Sequence, residues 1–245
     1  MRRIFLLGTM GLFLLTGTSY AQNTAVVAGG PHDLAAGSAL RTTNATIDGQ
    51  TCIFCHTPHG GATKIPLWNR NAPSGASYQL YSSSTSTATT TAGQLAASVS
   101  GACLSCHDGT IAVDVLADVN GLAFGPTVAF TKQGTAKATY TAGAGGSNNL
   151  MNGGLPFLGG DLRNDHPVAI VYETARAAKP AEFVTQQISG AVISVGTGAL
   201  PLYGSSVANA TVECASCHNA HNNTLGNFLR KANTGSSMCL SCHIK

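Results

Sequence analysis

All eight cysteines of this 245-residue chain fall into four Cys-x-x-Cys-His runs: CIFCH at 52–56, CLSCH at 103–107, CASCH at 214–218 and CLSCH again at 239–243. Two thiols three residues apart, followed at once by an imidazole, form the attachment pattern of a c-type haem. The thiols (Cys52 and Cys55, Cys103 and Cys106, Cys214 and Cys217, Cys239 and Cys242) add to the two vinyl groups, and the next residue reaches the iron. A disulfide framework explains an even cysteine count in an exported chain but not a histidine after every pair. Structural zinc suits one such run, not four of four. The pattern therefore predicts four covalently bound haem c groups, with His56, His107, His218 and His243 as proximal iron ligands.

The histidine count sharpens this. The chain holds eight histidines, four in the runs and four outside them: His32, His59, His166 and His221. Four irons with two axial positions each need eight ligands, so supply equals demand. Neutral imidazole is a good haem ligand, and an iron held by two of them carries single electrons without a vacant position for a substrate. Methionine is the usual competitor. Met1 and Met10 lie in the leader, Met238 abuts Cys239, and Met151 is freely placed in a Gly/Asn-rich stretch.

His59 and His221 each follow a proximal histidine by three positions, in CIFCHTPH and CASCHNAH. His59 cannot join His56 on one iron, because the axial positions face opposite sides of the macrocycle. If the attachment turn is helical, residues three apart share a face, and one short segment can serve two irons.

These sites need elements to hold them, and their order repeats. His32, CxxCHxxH at Cys52 and CLSCH at Cys103 are followed by His166, CxxCHxxH at Cys214 and CLSCH at Cys239. The chain reads as two di-haem modules, roughly 22–120 and 160–245, each with four histidines and so self-sufficient in ligands. Their motif spacings differ, 51 residues in the first and 25 in the second. TVAFTK (127–132), KATYT (137–141) and AVISV (191–195) read as short strands. AGAGGSNNLMNGG (142–154) reads as a flexible loop, SSSTSTATTTAG (82–93) as a Ser/Thr surface loop, and YETARAAKPAEF (172–183) as a helical turn or two broken at Pro180. The expected fold is a multihaem cytochrome c: mostly irregular, with short helices at the CxxCH sites, a few short strands, and the haems as much of the core.

Residues 1–21 read as a signal peptide: Arg2 and Arg3, an apolar run from Ile4 to Leu15, then Ser19 and Ala21 at a small-residue cleavage site. That run is well short of the roughly 20 residues that cross a bilayer. RRIFL resembles a twin-Arg signal, but that route carries folded cargo, whereas c-type haem is attached after translocation, which favours export of an unfolded chain. Residues 22–245 form the tetrahaem domain, with no integral membrane span. Without Arg2 and Arg3, 11 basic residues face 10 acidic ones, and four haems would add up to about eight propionate charges, which argues against a nucleic-acid partner. Charged side chains make up only 9% of the chain, so little repulsion keeps copies apart.

PHDL (31–34), FCHTPHG (54–60), PLWNR (66–70), CLSCHDGTIA (103–112), DHPV (165–168), ECASCHNAH (213–221), FLR (228–230) and the terminal CLSCH together resemble the extracellular tetrahaem cytochromes of iron-reducing bacteria, the OmcE-like cytochrome nanowire family. The resemblance implies bis-His ligation with His32, His59, His166 and His221 as distal ligands, and subunits that polymerise head to tail into electron-conducting filaments. It also implies that a histidine of one subunit can ligate a haem of the next, and His32, near the mature N-terminus, is the candidate. Partners would be further copies of the chain, other c-type cytochromes and extracellular electron acceptors. The reading is an electron carrier, not an enzyme, at the cell surface or beyond. A soluble periplasmic shuttle shares its chemistry. A multihaem oxyanion reductase would need an iron with an open position.

Overall fold

The computed structural model describes residues 27, 30–34, 51–58, 61, 65, 67–71, 73, 78–111, 113, 116, 138–141 and 150–244. The leader, His59, residues 127–132 and residues 142–149 lie outside this set. Regular elements are short because each is begun and ended by local chemistry. Thr91 and Gln94 form a reciprocal capping box that starts α1 (Ala92–Ala96). Ser98 caps α2 (Val99–His107), which carries the second attachment run. The two helices meet so closely that a Cβ on Gly101 would lie 2.2 Å from the Ala96 carbonyl oxygen. Only glycine fits there. The third helix, α3 (Tyr172–Ala178), stops two residues before Pro180, as its sequence predicts.

Strand pairing ties distant stretches together. β1 (Gln79–Leu80) runs parallel to β4 (Asp161–Leu162). β2 (Ala138–Thr141) is antiparallel to β3 (Leu150–Gly154), with a register shift between Thr139 and Tyr140. β5 (Ile170–Val171) pairs with β9 (Thr211–Val212), bringing the chain after His166 beside the third attachment run. A meander of β6 (Gln186–Ser189), β7 (Val192–Val195) and β8 (Leu200–Leu202) makes the one three-stranded sheet among the described residues. The strands foreseen at 137–141 and 191–195 are present. The loop foreseen at 142–154 ends instead in β3, whose hydrogen bonds to β2 outweigh the weak strand preference of LMNGG. The Ser/Thr stretch from residue 82 likewise gives way to α1 at Ala92.

Side chains supply a core of their own. Tyr172, Ile193, Val195, Leu200, Leu202, Ala210, Val212 and Met238 form a buried cluster against Cys217 and Cys242. Leu95, Leu104, Leu162 and Ala169 form a second, and Val113 with Met151 packs on Cys106. Each of these three clusters reaches an attachment run. Gly196, at φ +68, lets the β7–β8 turn lie on the fourth run, since a Cβ there would fall 2.1 Å from the Ser241 carbonyl oxygen. No helix of the described residues is long and apolar enough to cross a membrane.

Candidate metal centres

Each attachment run is wound into one tight turn. The first lies across the 3-10 turn Thr51–Phe54, the second in α2, the third forms α4 (Cys214–Cys217), and the fourth is the 3-10 turn Cys239–Ser241. His56, His218 and His243 donate their backbone N–H to the carbonyl of the first cysteine of their run, at 2.8, 3.0 and 3.0 Å. Winding the run this way gathers both thiols and the imidazole, as a group held by all three requires. All eight cysteines are free thiols. Burial pushes the Cys55 and Cys242 thiols up to about 12, so they stay protonated unless consumed by bond formation.

After its histidine, each CxxCHxxH segment goes out and comes back along the same hydrogen-bond frame. His56 bridges to Trp68 and His218 to Leu229. Thr57 N–H donates to Leu67 O and Asn219 N–H to Phe228 O. Asn69 N–H donates to Cys55 O and Arg230 N–H to Cys217 O. The Asn69 amide reaches Ile53 O at 2.8 Å, and Arg230 Nε reaches Ala215 O at 2.7 Å, the equivalent carbonyl. This frame corrects the expectation of a helical face for His218 and His221; His59 lies outside the described residues. His218 is extended, at φ −111 and ψ 146, because its strand-like bridge ends the turn, and a fresh turn from Asn219 then sets His221.

The rings meet in pairs. His32 and His107 have centroids 6.2 Å apart, His56 and His221 6.0 Å, and His166 and His243 6.3 Å. Metal–imidazole bonds of about 2.0–2.1 Å, with each ring centre about 1.1 Å behind its nitrogen, put two axial imidazoles roughly 6.2–6.4 Å apart. Each pair joins one histidine of an attachment run to one outside the runs. Among the described residues no cluster of three or more His, Cys, Asp or Glu forms a closed metal cage.

The surroundings suit imidazole ligation. Carbonyl oxygens of Pro156, Pro167 and Asn227 lie 2.7, 2.9 and 2.8 Å from Nδ1 of His107, His166 and His218, so each Nδ1–H is engaged and Nε2 keeps its lone pair for a metal. Burial, with His107 beside it, pushes His32 down to about 4. Burial also lowers His107 and His221, which favours the neutral, ligating form. Aromatic rings wall three sites: Phe228 stacks on His32 at 4.2 Å, Phe183 lies 4.9 Å from His243, and Trp68 stands edge-on to His56. The Trp68 indole N–H is buried without an acceptor. A largely apolar cleft opens beside Cys214, Cys217 and His218, walled by Leu80, Leu104 and Val168. Thiols, paired rings and apolar wall fit a haem.

Two expectations change. His56 belongs to the first repeat and His221 to the second, so one ring pair joins histidines of different repeats, where the sequence suggested that each repeat keeps its own. His32, the candidate for donation to a neighbouring subunit, lies against His107 of its own chain. Met151 is buried beside Val113 and Cys106 as a packing residue. Sequence reasoning did not single out Asn69, Phe228 or Glu213. The only signal for the first two was the return after each CxxCHxxH segment to LWN (67–69) and FLR (228–230).

Residues 207–245 match a family model described as the doubled CXXCH motif. No curated protein matches the chain. The doubled motif indicates a multihaem c-type cytochrome with covalently bound haem c, a class that carries electrons.

Proposed function

We propose that the chain is an exported electron carrier with four haem c groups, each iron held by two histidines, and that copies assemble head to tail into an extracellular filament. The observation that carries the ligation is the set of three imidazole pairs 6.0–6.3 Å apart. They support His32 with His107, His56 with His221, and His166 with His243. His218 and His59 are the histidines left over, and His59 lies outside the described residues. Haem c, when bound, supplies a one-electron couple at each iron.

The chain's own residues bind, orient and shield. The eight thiols fix the groups covalently, the Pro156, Pro167 and Asn227 carbonyls orient rings, and Phe183, Phe228 and Trp68 exclude water from them. Two imidazoles on each iron leave no position for a substrate, which speaks against an oxyanion reductase. The filament draws support from the resemblance of motif order and from the low surface charge, and the head-to-tail contact would be of the open, non-closing kind.

Mass spectrometry of the purified holoprotein should give four covalent haems, and its electron paramagnetic resonance spectrum should be wholly low-spin. Fewer haems or a resting five-coordinate iron would overturn the ligation. Cryo-electron microscopy of material sheared from cells should show filaments. Particles of one chain only would replace the filament with a soluble periplasmic shuttle.

A further inference from the structure

Glu213 immediately precedes the third attachment run, yet its carboxylate serves the second. It is 2% exposed. Its Oε2 accepts from the Ser100 backbone N–H at 3.0 Å and from the Ser100 hydroxyl at 2.5 Å, with Ser98 Oγ also 3.0 Å away. Its Oε1 lies 2.6 Å from Thr211 Oγ1. Ser98 and Ser100 are the cap and second residue of α2, so the carboxylate supplies acceptors to the start of that helix from 113 residues away. The link is closed from the other side. Ser100 Oγ accepts the backbone N–H of Cys214 at 2.9 Å, and Glu213 N–H donates to Ser216 Oγ at 3.0 Å.

This clamp has a geometric result. Cys103, three residues after Ser100 in α2, and Cys214, whose N–H the Ser100 hydroxyl accepts at the start of α4, are thereby held on helices packed together. Cys103 belongs to the second attachment run and Cys214 to the third, so their covalent links start from neighbouring points. Among the described residues no Lys or Arg forms an ion pair with Glu213. An ionised carboxylate in that position, screened from water, stabilises positive charge beside it.

We propose that Glu213 is a positioning residue for the junction between the two repeats: it holds the second and third haem attachment sites together and, where its carboxylate is ionised, keeps both at lower reduction potential than they would otherwise have. The inference rests on the tetrahaem reading above, and the same samples test the two separately.

The wild-type holoprotein is first scored for four covalent haems and low-spin irons, which tests that reading alone. Redox titration and Soret circular dichroism are then compared for wild type, Glu213→Gln and Glu213→Asp. Glu213→Gln keeps the shape and removes the charge, so two of the four one-electron midpoints should rise while the other two stay. Glu213→Asp keeps the charge and shortens the reach, so the midpoints should stay low while the exciton couplet between neighbouring haems weakens. Four unchanged midpoints in Glu213→Gln, in a protein that still holds four low-spin haems, would overturn the electrostatic role. An unchanged couplet in Glu213→Asp would overturn the clamp. If Glu213→Gln yields too little holoprotein, Ser100→Ala takes its place for the clamp: a weakened couplet supports it and an unchanged one rejects it.

Discussion

Residues 51–57 with 67–69, and 213–219 with 228–230, lay down one backbone frame with different side chains. In both, the turn of the attachment run is locked by a residue returning to the carbonyl of the same position between the cysteines. In the first segment the lock is Asn69, fully buried. In the second it is Arg230, exposed, which also reaches His218 O and Tyr203 Oη. The residue two before the lock is left-handed in both, Leu67 at φ 61 and Phe228 at φ 57, although neither is glycine. Left-handed backbone at equivalent positions shows that the return strand of the frame, and not local preference, sets the conformation there. The residue preceding each run differs in the same spirit: Thr51 bonds Asp33, beside His32, while Glu213 reaches the cap of α2.

The comparison breaks most decisively at the ligands. His221→Ala should leave four covalent haems by mass and three low-spin irons by electron paramagnetic resonance. His56→Ala should also leave three, and so should the double variant, because both residues serve one iron. Two low-spin irons in the double variant would separate the pair and restore self-contained repeats. His166→Ala should likewise cost one low-spin iron, the one paired with His243.

The locks come next. Asn69→Ala strands a buried carbonyl, and its denaturant midpoint should fall by the equivalent of about 1–3 kcal/mol. Arg230→Ala exposes its carbonyl to water, so its cost should stay under roughly 1 kcal/mol. Equal losses would mean that the two frames are locked by something other than these side chains.

The two CLSCH runs are identical in sequence and unlike in structure. At 103–107 the run forms the end of a nine-residue helix, whereas at 239–243 it is a three-residue 3-10 turn. Flanking residues decide this. Ser98 and Glu213 nucleate the helix before Cys103, while Gly235 and Ser236, both left-handed, interrupt the chain before Cys239. Ser98→Ala should therefore lower stability by about 1 kcal/mol. Smallest is the strain itself. Leu67→Gly should change stability by no more than about 1 kcal/mol, with relief of the left-handed strain set against backbone entropy. Phe228→Gly should cost more, since it also loses the stack on His32.

The chemistry of the site was legible because it lies in contiguous residues. Cys-x-x-Cys-His states its own purpose, and counting eight histidines stated the demand for partners. Which histidine meets which could not be read, because His32 finds His107 across 75 residues through the fold as a whole. The helix ending at Pro180 and the strand at 192–195 were visible as local patterns. β3 was not, since LMNGG becomes a strand only by pairing with β2. Glu213 was silent for a similar reason: a glutamate before a cysteine looks like surface charge until the serines that bury it, more than a hundred residues earlier, are brought to it.

The proposed pairing of His56 with His221 would set an order of manufacture. A chain exported from its N-terminus would present the first attachment run long before the final quarter arrives. The iron held by His56 would then wait longest for its second bond, and a polypeptide cut short ahead of residue 221 would leave that centre open to oxygen and to stray ligands.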